Sequence, residues 1–375
     1  MKIVWLAPEP PVPPLTGGRE RSRRMLDYLA RRHTVQLITF AAPEEEPGLM
    51  ELRWKLARLT IVPYPSRWEP LSSQMRRVVA AALGGQPDAV HVQGLEMYRY
   101  VPQNANVRYV LDLHDVPSLL EARLIRVEPA LLARIWSQLR LTAVNRRETE
   151  AICQASAVIA VSEQDRKALS SAHVDQDRKI VVIPNGVDLD YWALSEVDPD
   201  PATVLFPGAL NWPPNIDATH MLIHSVLPYV RARVPEVHVI IAGYQPDPAL
   251  RALAQADAPF TLIADPPDMR PIFARATVVA VPLRAATGTR YKILQAMAMG
   301  RPVVSTPIGA EGLDLEKDDH LSIAPLSKPF SEALVQLLTH LARRMELVRA
   351  GQAIIQRHTW DNYLPALDSL YPDTA

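Results

Sequence analysis

The densest chemistry in the chain lies between Val281 and Thr306, in the stretch VPLRAATGTRYKILQAMAMGRPVVST. An apolar strand end gives way to a small-residue loop, Ala285-Ala286-Thr287-Gly288-Thr289, and the loop enters a helix whose first turns carry Arg290 and Lys292. The first turn of a helix presents backbone N–H groups with no intrahelical acceptor, and the dipole adds positive potential, so such a loop suits a phosphate. Two cations beside it strengthen that preference. The helix is expected to end at Gly300-Arg301-Pro302, because Gly-x-Pro does not continue a helix, and Val303-Val304-Ser305 then restarts as a buried strand.

Other candidates follow strand ends elsewhere. Gly17-Gly18 opens a helix after the first strand, where it allows close backbone approach to an anion or simply makes a tight turn. That helix is rich in arginine (Arg19, Arg21, Arg23, Arg24, Arg31, Arg32) and reads best as a solvated face balanced by Glu20 and Asp27. His114, in Asp112-Leu113-His114-Asp115, sits where a strand ends; it could donate to a sugar hydroxyl or phosphate, or be satisfied by Asp115. Gly208 again permits close approach, with Asn215 or Asp217 as cap of the helix that follows. The turn Pro184-Asn185-Gly186-Val187-Asp188 needs no ligand to justify it.

Positioning these residues requires an α/β chain. Short apolar runs alternate with helical patterns along its length, the signature of parallel sheets with crossover helices. Strands are predicted at Lys2–Ala7, Val35–Phe40, Leu59–Pro63, Ala89–Gln93, Val107–Leu113, Ala157–Val161 and Ile180–Ile183 in a first sheet. A second sheet takes Thr203–Phe206, Val237–Ala242, Phe260–Ile263, Thr277–Val281, Pro302–Thr306 and Leu321–Ala324. The acidic, proline-punctuated segment Glu196–Pro201 suits an exposed linker near residues 190–202. The expected domains are therefore 1–195 and 196–357. A closing helix, Thr359–Tyr371, carries Trp360, Tyr363, Leu364, Leu367 and Leu370 at helical spacing, and residues 358–375 are expected to pack back on the first domain.

Composition excludes several classes. With 375 residues and 48% of them apolar, the chain is long enough for two ordinary domains. A formal net charge of −1 and an aromatic share of 6%, without a long basic run, argue against nucleic acid as partner. The single cysteine, Cys153, allows no intramolecular disulfide or cysteine-based zinc cluster and is expected as a small buried apolar residue. The N-terminal apolar run is too short for a signal peptide, and no stretch of about 18 apolar residues follows, so the expected location is the cytoplasm.

Taken together, VIPNGVDLDYW, FPGALNWPPNIDA and PLRAATGTRYKILQAMAMGRPVVSTPIGAEGL resemble the retaining GT-B glycosyltransferases of family GT4, in the branch associated with exopolysaccharide and cell-surface sugars. The resemblance spans nearly the whole chain. It implies two Rossmann-like domains with parallel sheets facing across a cleft and a C-terminal helix crossing back to domain one. It further implies a nucleotide-sugar donor, UDP- or GDP-linked, held mostly by the C-terminal domain, and a glycan or lipid-linked acceptor held by the N-terminal domain. Transfer would proceed with retention, without a metal or other cofactor and without a protein nucleophile, and peripheral association with the inner membrane face is compatible with it.

Donor binding then falls to Gly17, Gly18, Gly208, Thr287, Gly288, Thr289 and Gln295, and catalysis to His114, Arg290 and Lys292. The family's two glutamates, spaced by seven residues, correspond to Thr287 and Gln295. Its arginine and lysine after the first strand of domain two are replaced by Asn211–Asn215, so Arg290 and Lys292 are expected to neutralise the departing diphosphate. A sugar-nucleotide epimerase of the same fold and a non-catalytic sugar-nucleotide-binding relative are the competing readings.

Overall fold

The computed structural model describes residues 1–65, 71–102, 107–128, 130–255, 258–315 and 319–372. The chain divides into two compact units: one comprises Met1–Leu119, Trp136–Pro184 and Tyr363–Ala375, the other Leu120–Ile135 and Asn185–Asn362.

The first unit holds a seven-stranded parallel sheet of β1 (Lys2–Ala7), β2 (Thr34–Phe40), β3 (Arg58–Val62), β4 (Ala89–Gln93), β5 (Tyr109–Asp112), β6 (Ala157–Ala160) and β7 (Ile180–Val182). Their order is β3-β2-β1-β4-β5-β6-β7. The inner strands β1, β4, β5 and β6 are apolar nearly throughout because crossover helices cover both faces of a parallel sheet. Among the helices of this unit is α1 (Gly17–Ala30), capped by the Thr16 hydroxyl on Arg19 N at 3.2 Å; of the next two used below, α2 (Pro117–Val127) belongs to the second unit from Leu120 on, and the long α3 (Leu131–Gln154) belongs to the first from Trp136 on.

The second unit holds β8 (Thr203–Ala209), β9 (His238–Tyr244), β10 (Phe260–Ala264), β11 (Val278–Val281), β12 (Val303–Ser305) and β13 (Ser322–Ile323), all parallel, in the order β10-β9-β8-β11-β12-β13. Two of its helices matter below: α4 (Pro213–Met221) after β8, and α5 (Tyr291–Ala298) after β11. In both sheets the strand order reverses once, between β1 and β4 and between β8 and β11. Loops leaving the carboxyl ends at a reversal diverge to opposite faces and open a crevice, the usual ligand position in open α/β sheets. Gly17 and Gly18 follow β1, while Gly208 ends β8 and the Thr287 loop follows β11. These three motifs thus fall at the two reversals, whereas His114 follows β5 and Asn185 follows β7.

Three expectations are corrected. The closing segment is not one helix: a single turn at Trp360–Tyr363 passes into a 3-10 helix at Leu364–Ser369, because Pro365 removes a backbone donor. Trp360, Leu364, Leu367 and Leu370 are nonetheless buried and Tyr363 partly so, and Tyr363–Ala375 groups with the first unit, where Tyr28 donates to Asp368 at 2.9 Å. Cys153 is exposed, because it lies on the outer face of the last turn of α3. Arg19 and Arg21 are buried on α1 rather than solvated, Arg19 between Glu9 and Glu45 at 2.7 and 2.6 Å, and Arg21 on Asp112 at 3.0 Å. The solvated reading holds for Arg31 and Arg32, which are exposed, and in part for the half-buried Arg23 and Arg24, which pair along the helix with Asp27 and Glu20.

Candidate functional site

In the second unit the loop between β11 and α5 is pinned from several sides. Arg284 pairs with Asp217 of α4, its Nε donating at 2.9 Å, and the Thr306 hydroxyl donates to Leu283 O at 2.6 Å. Asn185 Nδ2 donates to Thr289 Oγ1 at 2.8 Å. Arg123 of α2 donates to Ala286 O and, at 3.0 Å, to Glu311 Oε1. Thr287 is buried, and Gly288 adopts φ 75°, a left-handed conformation that glycine tolerates at no steric cost. A loop so braced meets its ligand already ordered, which lowers the entropy cost of binding.

The two cations differ in what they do. Arg290 is the N-cap position of α5, not part of its first turn, and its guanidinium is folded inward onto the carbonyls of Thr287 and Gly288. It shapes the loop. Lys292 points toward β8: its ammonium donates to Asn215 Oδ1 at 2.9 Å and stands 4.2 Å from the Phe206 ring centroid. A Cβ on Gly208 would fall 2.9 Å from Lys292 Nζ and 2.8 Å from Asn215 Nδ2, so the missing side chain is what admits both groups. Among the described residues Lys292 pairs with no carboxylate. The side chain keeps some surface, yet its ammonium is densely surrounded. Burial, and after it the like charge of Arg290, push its pKa from 10.5 down to about 7.

Asn215 is therefore not the helix cap expected of it; its amide is turned back, donating to Ala209 O at 2.8 Å and accepting from Lys292. Asp217 is likewise engaged with Arg284 rather than with the start of α4. Gln295 lies half-buried on α5, one turn beyond Lys292.

The first unit carries a separate cluster around Asp112. This carboxylate, fully buried at the end of β5, takes Arg21 Nη2 at 3.0 Å and His114 Nε2 at 3.2 Å, with His91 Nε2 at 3.6 Å. Burial alone would raise its pKa, but Arg21 and His114 hold it well below the usual carboxylate range. His91 is kept neutral by its burial, against the pull of Asp112, and its Nδ1 meets the Tyr371 hydroxyl at 2.8 Å. His114 is thus oriented by Asp112, not by Asp115. Its other nitrogen, Nδ1, lies 3.3 Å from where a Cβ of Gly18 would stand, so the glycine leaves room for the ring. Gly17 is the first residue of α1 and Gly18 the second, in the turn capped by Thr16.

Asp112, Arg21, Asn185, Asn215 and Phe206 were not marked as site residues by the sequence. Asp112 had a signal in hindsight: a carboxylate inside an apolar strand must find a partner. Asn185 had none beyond its turn-forming type.

Residues 16–191 match Glycosyltransferase Family 4, and residues 201–340 match Glycosyl transferases group 1. An uncharacterized 44.6 kDa protein in the cps region of Klebsiella pneumoniae is 24% identical over 198 residues, 51% of each chain. The chain thus spans about half the length of that curated relative. Among solved structures, Anabaena HepE in complex with UDP and glucose superposes over 100% of both chains with a TM-score of 0.76 at 17% identity. Sucrose-phosphate synthase from Thermosynechococcus elongatus does so over 99% of this chain and 98% of that one, with a TM-score of 0.75 at 16% identity. WaaG, a glycosyltransferase involved in lipopolysaccharide biosynthesis, gives 0.69 at 16% identity over 100% of both. At these identities the likeness to solved structures establishes the fold. With one family match on each sheet-bearing unit and that fold shared along the whole length, the chain belongs to the GT-B glycosyltransferases, a Family 4 domain followed by a group 1 domain.

Proposed function

We propose that this protein transfers a sugar from a nucleoside-diphosphate donor to a glycan or lipid-linked acceptor, with retention of configuration, in the synthesis of a cell-surface or extracellular polysaccharide. One observation carries the reading: Lys292, an enclosed ammonium with no carboxylate partner among the described residues, beside Gly208 at the carboxyl edge of β8. An unneutralised buried cation at a strand-order reversal is costly without an anion and strengthened by one. The donor diphosphate supplies that anion.

In the reaction the bond from the anomeric carbon to the diphosphate oxygen breaks and a bond to the acceptor oxygen forms on the same face. The acceptor proton passes to the departing phosphate. Lys292 stabilises the charge that develops on the leaving group, and Arg290 holds the Thr287 and Gly288 carbonyls so that the loop keeps its shape. Thr287, Gly288, Thr289 and Gly208 line the donor, Gln295 binds ribose hydroxyls through its amide, and Gly17 and Gly18 complete the set. His114, fixed by Asp112, contacts the transferred sugar. The donor is UDP- or GDP-linked, no metal or other cofactor takes part, and the work is done in the cytoplasm at the inner membrane face. The support for UDP is that HepE is described in complex with UDP and glucose.

The test is incubation with UDP-, GDP-, dTDP- and ADP-sugars, with and without acceptor extracts, followed by nucleotide release. Release that depends on acceptor and is lost in Lys292→Gln supports the reading. Binding without release in every combination would reduce the protein to a sugar-nucleotide-binding relative, and isomerised sugar without transfer would make it an epimerase.

A further inference from the structure

The helix α3 carries a feature that neither sugar-nucleotide binding nor the sheet cores use. Its first half exposes five large apolar side chains: Leu131 at 70% of full exposure, Leu132 at 74%, Ile135 at 51%, Trp136 at 73% and Leu139 at 61%. At 100° per residue these five occupy one contiguous arc of the helix. Ala133, Ser137, Leu141 and Val144 fall on the opposite arc and are partly covered. The apolar arc therefore faces solvent, the inverse of what a helix does when its own fold is its only partner. Exposing this much contiguous apolar surface is unusual for a chain without a binding partner.

The charges on the same helix choose the partner. From Ala130 to Arg147 there is no acidic residue, and the four charged side chains, Arg134, Arg140, Arg146 and Arg147, are all cationic. Arg134 flanks one side of the apolar arc and Arg140 and Arg147 flank the other; Arg146 lies within the arc, two turns further on, paired with Glu150 at 2.8 Å. Leucine and tryptophan on one face with arginines along its margins is the arrangement that lies in a bilayer interface, the ring at headgroup depth and the guanidiniums among phosphates. A protein partner would instead need a matching apolar groove rimmed with carboxylates. The arginine-rich α1 does not serve this purpose, because Arg19 and Arg21 are buried in ion pairs.

We infer that the exposed face of α3, from Leu131 to Leu139, docks on an anionic lipid bilayer. The inference deepens the membrane-face reading above by naming the surface and the lipid charge. It is tested without turnover, so its failure leaves sugar transfer standing.

The experiment is co-sedimentation of the full chain with vesicles of phosphatidylglycerol mixed into phosphatidylcholine, compared with phosphatidylcholine alone, alongside the chain's mass in solution. Strong binding to the anionic vesicles, weakened by salt, is expected. Replacing Trp136 and Leu139 together by Ser should lower partitioning more than tenfold by removing the inserted side chains. Replacing Arg134 and Arg140 by Gln should lower binding to anionic vesicles about 25-fold, about fivefold for each charge. UDP binding and thermal melting should be unchanged in both variants, since the side chains are exposed. Undiminished vesicle binding in the Trp136→Ser, Leu139→Ser variant would overturn the inference. So would a stable dimer that Trp136→Ser dissociates and that binds no vesicles.

Discussion

At the scale of single residues, Lys292 sets the pH behaviour. Its pKa is near 7 with the site free, so above that pH the free site is mostly neutral. A diphosphate beside it favours the charged form, so binding takes up a proton. Affinity for UDP should fall by up to about tenfold per pH unit above about 7, a slope that titration at several pH values would reveal and that Lys292→Met should flatten. Stability has the opposite slope. The unfolded chain binds this proton up to about 10.5 and the folded chain only to about 7. This group's penalty is thus complete below about 7 and relieved as pH rises through that window. Lys292→Met should accordingly melt higher than wild type at pH below 7, by calorimetry. Gly18→Ala tests the histidine side. Alanine is the better helix former by about 1 kcal/mol, so stability should hold, while transfer should fall as the new methyl crowds His114. Unchanged turnover would remove His114 from the site. The residue types of Lys292 and His114 were legible in the sequence. Their partners were not, because Asn215 lies 77 positions from Lys292 and Arg21 lies 91 from Asp112.

At the scale of elements, the thirteen strands among the described residues were legible because most are short apolar runs, the inner ones buried on both faces, bounded by polar or proline-containing turns. Helix ends were less so. Arg290 caps α5 rather than entering it, and the closing segment breaks at Pro365, since side-chain periodicity does not report which backbone donor is missing. Cys153 and the arginines of α1 misled for one reason: residue type gives average burial, while the helix's rotation decides the individual case. The pairing of β8 with β9 depends on a feature only coordinates display. A Cβ on Gly243 would fall 1.7 Å from the Gly208 carbonyl oxygen, an overlap with backbone that no rotamer relieves, and Gly243 also has φ 154°. Gly243→Ala should therefore destabilise the second unit by at least about 2 kcal/mol in urea titration, more than Gly208→Ala, whose φ of 159° is also unfavourable for a side chain but whose new methyl meets the Asn215 and Lys292 side chains rather than backbone, and which should bind UDP poorly. Equal stability of the two variants would contradict this account of the sheet.

At the scale of the whole molecule, two arrangements tie distant parts of the sequence together. In the second unit Val187 N donates to His358 O at 2.8 Å, and Trp360 N passes 2.3 Å from where a Cβ of Gly186 would be, so the Asn-Gly turn holds both the loop after β11 and the returning chain. The sequence justified that turn as a turn alone. In the first unit the buried Asp112 joins Arg21, His91, His114 and, through His91, Tyr371 of the closing segment. Asp112→Asn would leave the Arg21 guanidinium without its counter-charge. It should cost about 3–5 kcal/mol by chemical denaturation, more than the loss of any surface pair.

The central claim is that the second unit holds a nucleoside diphosphate on Lys292. Isothermal titration of UDP into the wild type and Lys292→Gln, in two buffers of different ionisation enthalpy near pH 8, addresses it most directly. The expected result is binding with net proton uptake in the wild type, and about a hundredfold weaker binding without that uptake in the variant. Equal affinity and equal proton exchange in the two proteins would contradict the claim.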